Sequence, residues 1–141
     1  MPKGALAELA AMDDMLVAVL RAGIPGLQAV YRYGSAGTAH ARADSDIDLA
    51  VLADAQLDFA MLNRLAVELM RLAGKDVDLN DMRRLPVTLR VQIVTGGVRL
   101  FAADTYAAEE YDSRVLADYA YLNEARRAIL DDVRARGSIY G

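Results

Sequence analysis

The 141-residue chain contains no cysteine, which excludes disulfides, thiol nucleophiles and cysteine-ligated zinc or iron-sulfur centres. Positive charge is also in short supply. Sixteen Lys and Arg stand against 20 Asp and Glu, for a net charge of -4 and a pI near 4.9. That balance argues against a broad basic surface for gripping a nucleic-acid backbone, so any polynucleotide contact must be local. There is no run of 18 consecutive apolar residues, and Glu8, Asp13 and Asp14 interrupt Met1 to Leu20 before a signal-like apolar segment forms. These absences lead us to expect a cytoplasmic protein without a membrane segment. Histidine occurs once, as His40, and is read as an exposed loop residue rather than an acid-base group.

What is present is a regular alternation of helix and strand signals, without a repeat, low-complexity tract or linker. Leu6, Leu9, Met12, Leu16 and Leu20 recur at helical spacing over Ala5 to Arg21, and Gly23 and Pro25 end that helix. Strands are expected over Leu27 to Tyr33 and Ile47 to Leu52. A second amphipathic helix, Leu57 to Leu72, is closed by Gly74 and followed by a short strand, Asp76 to Leu79. Pro86 suits the first turn of a helix reaching about Thr95, and Val98 to Phe101 is a marginal fourth strand. From Asp104 to Arg136 neither glycine nor proline intervenes, so one long helix or two is expected there. The expected fold is α+β: a small mixed sheet flanked by helices, with residues 1–102 as the core and 103–141 as a helical segment packed on or extending from it.

Chemistry concentrates between Tyr33 and Val51, which read YGSAGTAHARADSDIDLAV. Gly34 permits a tight turn at a strand end, and Ser35 offers a hydroxyl beside exposed amides, a natural seat for phosphate. Ten residues later, Asp46 and Asp48 alternate with Ile47 and Leu49, so both carboxylates are expected on one strand face. Paired carboxylates repel unless a cation or hydrogen bonds compensate, and hard oxygen ligands beside a phosphate site suit Mg2+. Asp78, on the next expected strand, is the best third acid for a two-metal centre; Asp76 ranks behind it. Arg83 and Arg84 are weighed between gripping a triphosphate and forming a solvated face. Tyr111, Tyr119 and Tyr121 are read as packing residues with outward hydroxyls.

YGS, ten residues, DID and then VDL together resemble the DNA polymerase β-type nucleotidyltransferase superfamily, in particular its minimal nucleotidyltransferase (MNT) branch. LAVL after the acids, the Pro86 helix, GGVRLF and the terminal RGSIYG are similar to MntA-type adenylyltransferase antitoxins of HEPN/MNT toxin-antitoxin systems. The resemblance covers most of the chain. It implies transfer of AMP from ATP, with two Mg2+ ions, to a tyrosine of a partner HEPN-domain ribonuclease toxin. Carried over, it makes Asp46, Asp48 and Asp78 catalytic and metal-binding, and Gly34 and Ser35 nucleotide-binding. One departure is Ala36, where relatives often carry a basic residue; His40, Arg42, Arg83 or Arg84 are the alternatives for triphosphate contact.

The acceptor is the less determined half. Sixty-three residues follow Asp78 (141 minus 78), expected to be too few for the nucleic-acid-holding domains of template-directed relatives. A protein acceptor in a hetero-oligomer is therefore favoured. A small-molecule, aminoglycoside-type nucleotidyltransferase and an antitoxin acting by binding alone are the alternatives. The long apolar stripe of the terminal helix needs a partner, internal or external, and it is expected to form the docking surface together with the open side of the acidic cluster.

Overall fold

The computed structural model describes residues 3–34 and 46–137. Along the chain come α1 (Lys3–Gly23), β1 (Leu27–Tyr33), β2 (Ile47–Ala53), α2 (Phe59–Ala73), β3 (Val77–Asp81), a 3-10 turn (Met82–Arg84), α3 (Val87–Gly96), β4 (Val98–Ala102) and α4 (Thr105–Arg136). Every expected element is found, with shifts at the ends. Pro86 is the N-cap of α3 rather than its first turn, since its extended backbone (φ -65°, ψ 155°) turns the chain in before Val87. The terminal stretch is one helix of 32 residues, not two.

Local chemistry explains the boundaries. Asp58 caps α2 by accepting from the Ala60 amide at 3.1 Å, and Gly74 closes the helix in the left-handed conformation (φ 70°). Asp104 caps α4 in the same way, accepting from the Ala107 amide at 3.3 Å.

The strands form one mixed sheet in the order β3-β2-β1-β4. β1 pairs antiparallel with β2 and β4, whereas β2 and β3 run parallel, joined by the α2 crossover. Strand alternation divides the core in two. Ile47, Leu49, Val51 and Ala53 face Leu16, Leu20 and Ile24 at the end of α1 and Leu62, Leu65 and Leu69 of α2. On the opposite face Ala29, Tyr31, Ala50 and Leu52 pack with Met82 and Ile93, bordered by Leu89 of α3 and Tyr111 of α4.

Polar ties cross both layers. The Tyr31 hydroxyl donates to Asp112 at 2.6 Å, and Arg99 donates to the other Asp112 oxygen at 3.0 Å, fastening α4 to β1 and β4. On the other face buried Arg32 pairs with Asp13 of α1. Asp81 is buried and structural: it accepts from the Leu57 amide at 2.8 Å and the Arg83 amide at 3.0 Å.

The only buried residues of α4 among those described, Ala108 and Val115, lie in its first half. Beyond them Leu116, Tyr121, Ile129 and Leu130 are exposed. The expected packing of Tyr121 is therefore corrected: it is 75% exposed, on the outward face of a stretch whose Tyr119, Leu122 and Asn123 are half-buried. Tyr111 does pack, but with its hydroxyl buried rather than outward. Among the described residues no helix is long and apolar enough to cross a membrane.

Candidate active site

The site grows from the end of β1 and the starts of β2 and β3. β1 ends at Tyr33, and Gly34 then takes φ +75°, a left-handed conformation that side chains rarely adopt. A Cβ at position 34 would also run into the Asp48 carboxylate. Glycine is thus required by the turn, and its bare Cα also leaves room for the Asp48 carboxylate. Ser35 lies outside the described residues, as do His40 and Arg42.

Strand register brings the acids together. Asp48, the second residue of β2, stands opposite Tyr33 on β1 and beside Asp78 on β3. The three side chains share one sheet face, the one that farther along holds Ala50, Leu52 and α3. Asp48 is half-buried and Asp78 is exposed. Asp46 is exposed just ahead of β2, so it lies at the lip of the site rather than on the strand where alternation was expected to put it. Asp76 likewise falls outside β3; its carbonyl accepts from the Ile47 amide at 2.9 Å while its side chain is exposed.

Electrostatics mark Asp48 as the strained member. Burial first, then the negative charges of Asp78 and Asp46, push its carboxyl above the usual range. Tyr33 is raised above the ordinary phenol value, again by burial first; the hydrogen bond from Asn80 lowers it, and Asp78 and Asp48 raise it. Among the described residues no three acidic or histidine side chains converge tightly enough to define a metal centre by themselves. The donor set does fit a hard divalent cation: oxygen ligands on adjacent strands, crowded enough to perturb one another.

Arg83 and Arg84 are not at this site. Arg83 Nε donates to the Ala53 carbonyl at 2.8 Å, and Arg84 donates to the Leu57 carbonyl at 2.9 Å while lying over the Phe59 ring at 4.2 Å. Ala53 ends β2, five strand residues from Asp48, or about 17 Å at the usual rise. Both arginines therefore lie at the opposite end of the sheet, which speaks against triphosphate contact; the expected solvated face fits exposed Arg84, 3.8 Å from the Asp81 carboxylate, but not Arg83, which is half-buried on a backbone carbonyl. Two residues that motif reasoning missed do belong here, Tyr33 and Asn80, joined by a hydrogen bond of 2.9 Å. The available signal was position: Tyr33 directly precedes Gly34, and Asn80 is two strand residues beyond Asp78.

The same region is what known proteins share with this chain. The polymerase beta nucleotidyltransferase family matches residues 19–106. Protein adenylyltransferase MntA of Shewanella oneidensis is 36% identical over 123 residues, covering 87% of this chain and 88% of the relative. Among solved structures, the tri-AMPylated Shewanella oneidensis HEPN toxin in complex with MNT antitoxin contains a chain that superposes with a TM-score of 0.74 at 33% identity, covering 89% of this chain and 98% of that one. A toxin-antitoxin structure with AMP-PNP gives 0.73 at 38% identity, covering 86% and 98%. Matched over residues 19–106 by the family and over most of its length by a protein adenylyltransferase, this chain belongs to the polymerase beta nucleotidyltransferase family and is a nucleotidyltransferase.

Proposed function

We propose that the protein is an antitoxin adenylyltransferase, moving AMP from ATP to a tyrosine hydroxyl of a partner HEPN-domain ribonuclease toxin. The observation that carries this reading is the Asp48 and Asp78 register beside left-handed Gly34, in a chain similar over most of its length to a protein adenylyltransferase. The kinship with an antitoxin solved in complex with its AMPylated toxin supports the choice of acceptor.

In this reading Gly34, at the turn after β1, and Ser35 bind the triphosphate. Asp46, Asp48 and Asp78 would hold Mg2+, which when bound neutralises phosphate charge and orients the phosphorus for in-line attack. Asp78, exposed on the neighbouring strand, faces the incoming acceptor and takes the proton from its hydroxyl. The tyrosine oxygen forms a bond to the α-phosphorus as the bond to pyrophosphate breaks, and pyrophosphate leaves with the electron pair. Residues 1–102 carry the transfer chemistry, and residues 103–141 contribute docking surface, consistent with the exposed Tyr121, Ile129 and Leu130.

Incubation with labelled ATP, Mg2+ and a HEPN-domain partner tests the reading by mass spectrometry of the partner. We expect AMP on a partner tyrosine with the unsubstituted protein and none with Asp48→Asn or Asp46→Asn. Label in a small molecule instead would favour the aminoglycoside-type alternative. Full neutralisation of the toxin by Asp46→Asn would leave binding alone as the function.

A further inference from the structure

Tyr33, Asp48 and Asp78 form one transverse row across β1, β2 and β3, and the next row on that face is Tyr31, Ala50 and Asn80. The Asn80 side-chain amide donates to the Tyr33 hydroxyl at 2.9 Å although β2 lies between their strands. The phenol therefore lies across β2, passing from the first row to the second. Ala50, fully buried at the crossing, presents only a methyl group, and a larger side chain there would lift the ring. Tyr33 packs against the cluster of Tyr31, Leu52, Met82 and Ile93, so its ring stands between that core and the acids.

We propose that Tyr33 and Asn80 are positioning residues for a divalent cation held on Asp48 and Asp78. The proposal rests on the reading of those two aspartates as cation ligands. By accepting from Asn80, the Tyr33 oxygen fixes the ring across β2 beside the acidic row, whose charges it feels. The ring lies on the inner side of the row, and the absence of a side chain at Gly34 leaves the Asp48 carboxylate room beside the turn. Groups that orient metal-binding carboxylates in this way set cation affinity without touching the reacting atoms.

The test is titration with Mn2+, followed by electron paramagnetic resonance with a non-hydrolysable ATP analogue present, on the unsubstituted protein, Tyr33→Phe, Asn80→Ala and the double variant. Each single change should weaken Mn2+ binding about tenfold. The double variant should be no weaker than the worse single one, because both changes remove the same bond. Tyr33→Phe keeps the ring, so its thermal midpoint should stay close to that of the unsubstituted protein. Unchanged Mn2+ affinity in both single variants would overturn the proposal, as would losses that add in the double variant or that track a fall in thermal stability. Absence of Mn2+ binding by the unsubstituted protein would overturn the cation reading itself, and positioning with it.

Discussion

Asp48 shows how a residue suited to chemistry weakens the fold that carries it. Its carboxyl is raised by burial and by the charges of Asp78 and Asp46, so in the folded state the ionised form is disfavoured. The resulting destabilisation is absent below the ordinary aspartate value of about 4 and grows as pH rises through the raised folded value. Asp48→Asn should therefore melt higher than the unsubstituted protein in EDTA at pH 7, on the order of 3 °C, with the difference gone at pH 3.5. Calorimetry at the two pH values checks this, and an unchanged or lower melting temperature at pH 7 would contradict it. The motif spacing already marked Asp46, Asp48 and Asp78, because a strand period of two constrains where carboxylates point. Asp46 escaped that logic because β2 begins one residue after it.

At the scale of elements, α4 divides into a packed half and an outlying half. Ala108 and Val115 are its buried residues, and Asp112 ties its first half to Tyr31 and Arg99. Past Asn123 its side chains are exposed but for half-buried Val133, and the ion pairs of Arg134 with Asp131 and Arg136 with Asp132 join exposed groups, which contribute little stability. A chain ending at Asn123 should thus keep its melting temperature within about 3 °C while losing affinity for a HEPN-domain partner. Calorimetry and surface plasmon resonance with the partner separate the two effects; equal loss of both would mean that the outlying half belongs to the fold. The end of α2 was readable from sequence because Gly74 acts locally on its own helix end, whereas the apolar pattern starts it at Leu57, ahead of the Asp58 cap that the structure shows. The exposure of Tyr121 was not readable, since the sequence does not say which face of α4 meets the rest of the molecule: Tyr119 and Leu122 turn inward and Tyr121 outward.

The whole molecule is held as three layers by two polar ties through its sheet, Arg32 to Asp13 on one face and Tyr31 to Asp112 and Arg99 on the other. Tyr31 has its phenol raised, by burial first, then by the Asp112 hydrogen bond and charge, against a lowering by Arg99. The protonated phenol is the form that folding favours, so its contribution is complete below the ordinary tyrosine value of about 10 and is lost as pH climbs beyond it. Urea midpoints should fall between pH 8 and pH 11. Tyr31→Phe should be less stable at pH 8 by about 2 kcal/mol, the worth of a hydrogen bond to a charged group, and should decline less steeply, with Tyr33 and Tyr111 still contributing a slope. A parallel decline would contradict this role for Tyr31. By itself the sequence determined the order of elements, the α+β class and the spacing of the acidic motif, all properties of local periodicity and turn chemistry. Only tertiary structure decided which strands are neighbours, and hence that Asp78 lies beside Asp48, that Arg83 and Arg84 lie at the far end of the sheet, and that Tyr33 reaches Asn80 over Ala50. Register between strands far apart in sequence is settled by packing both faces at once, which no local signal encodes.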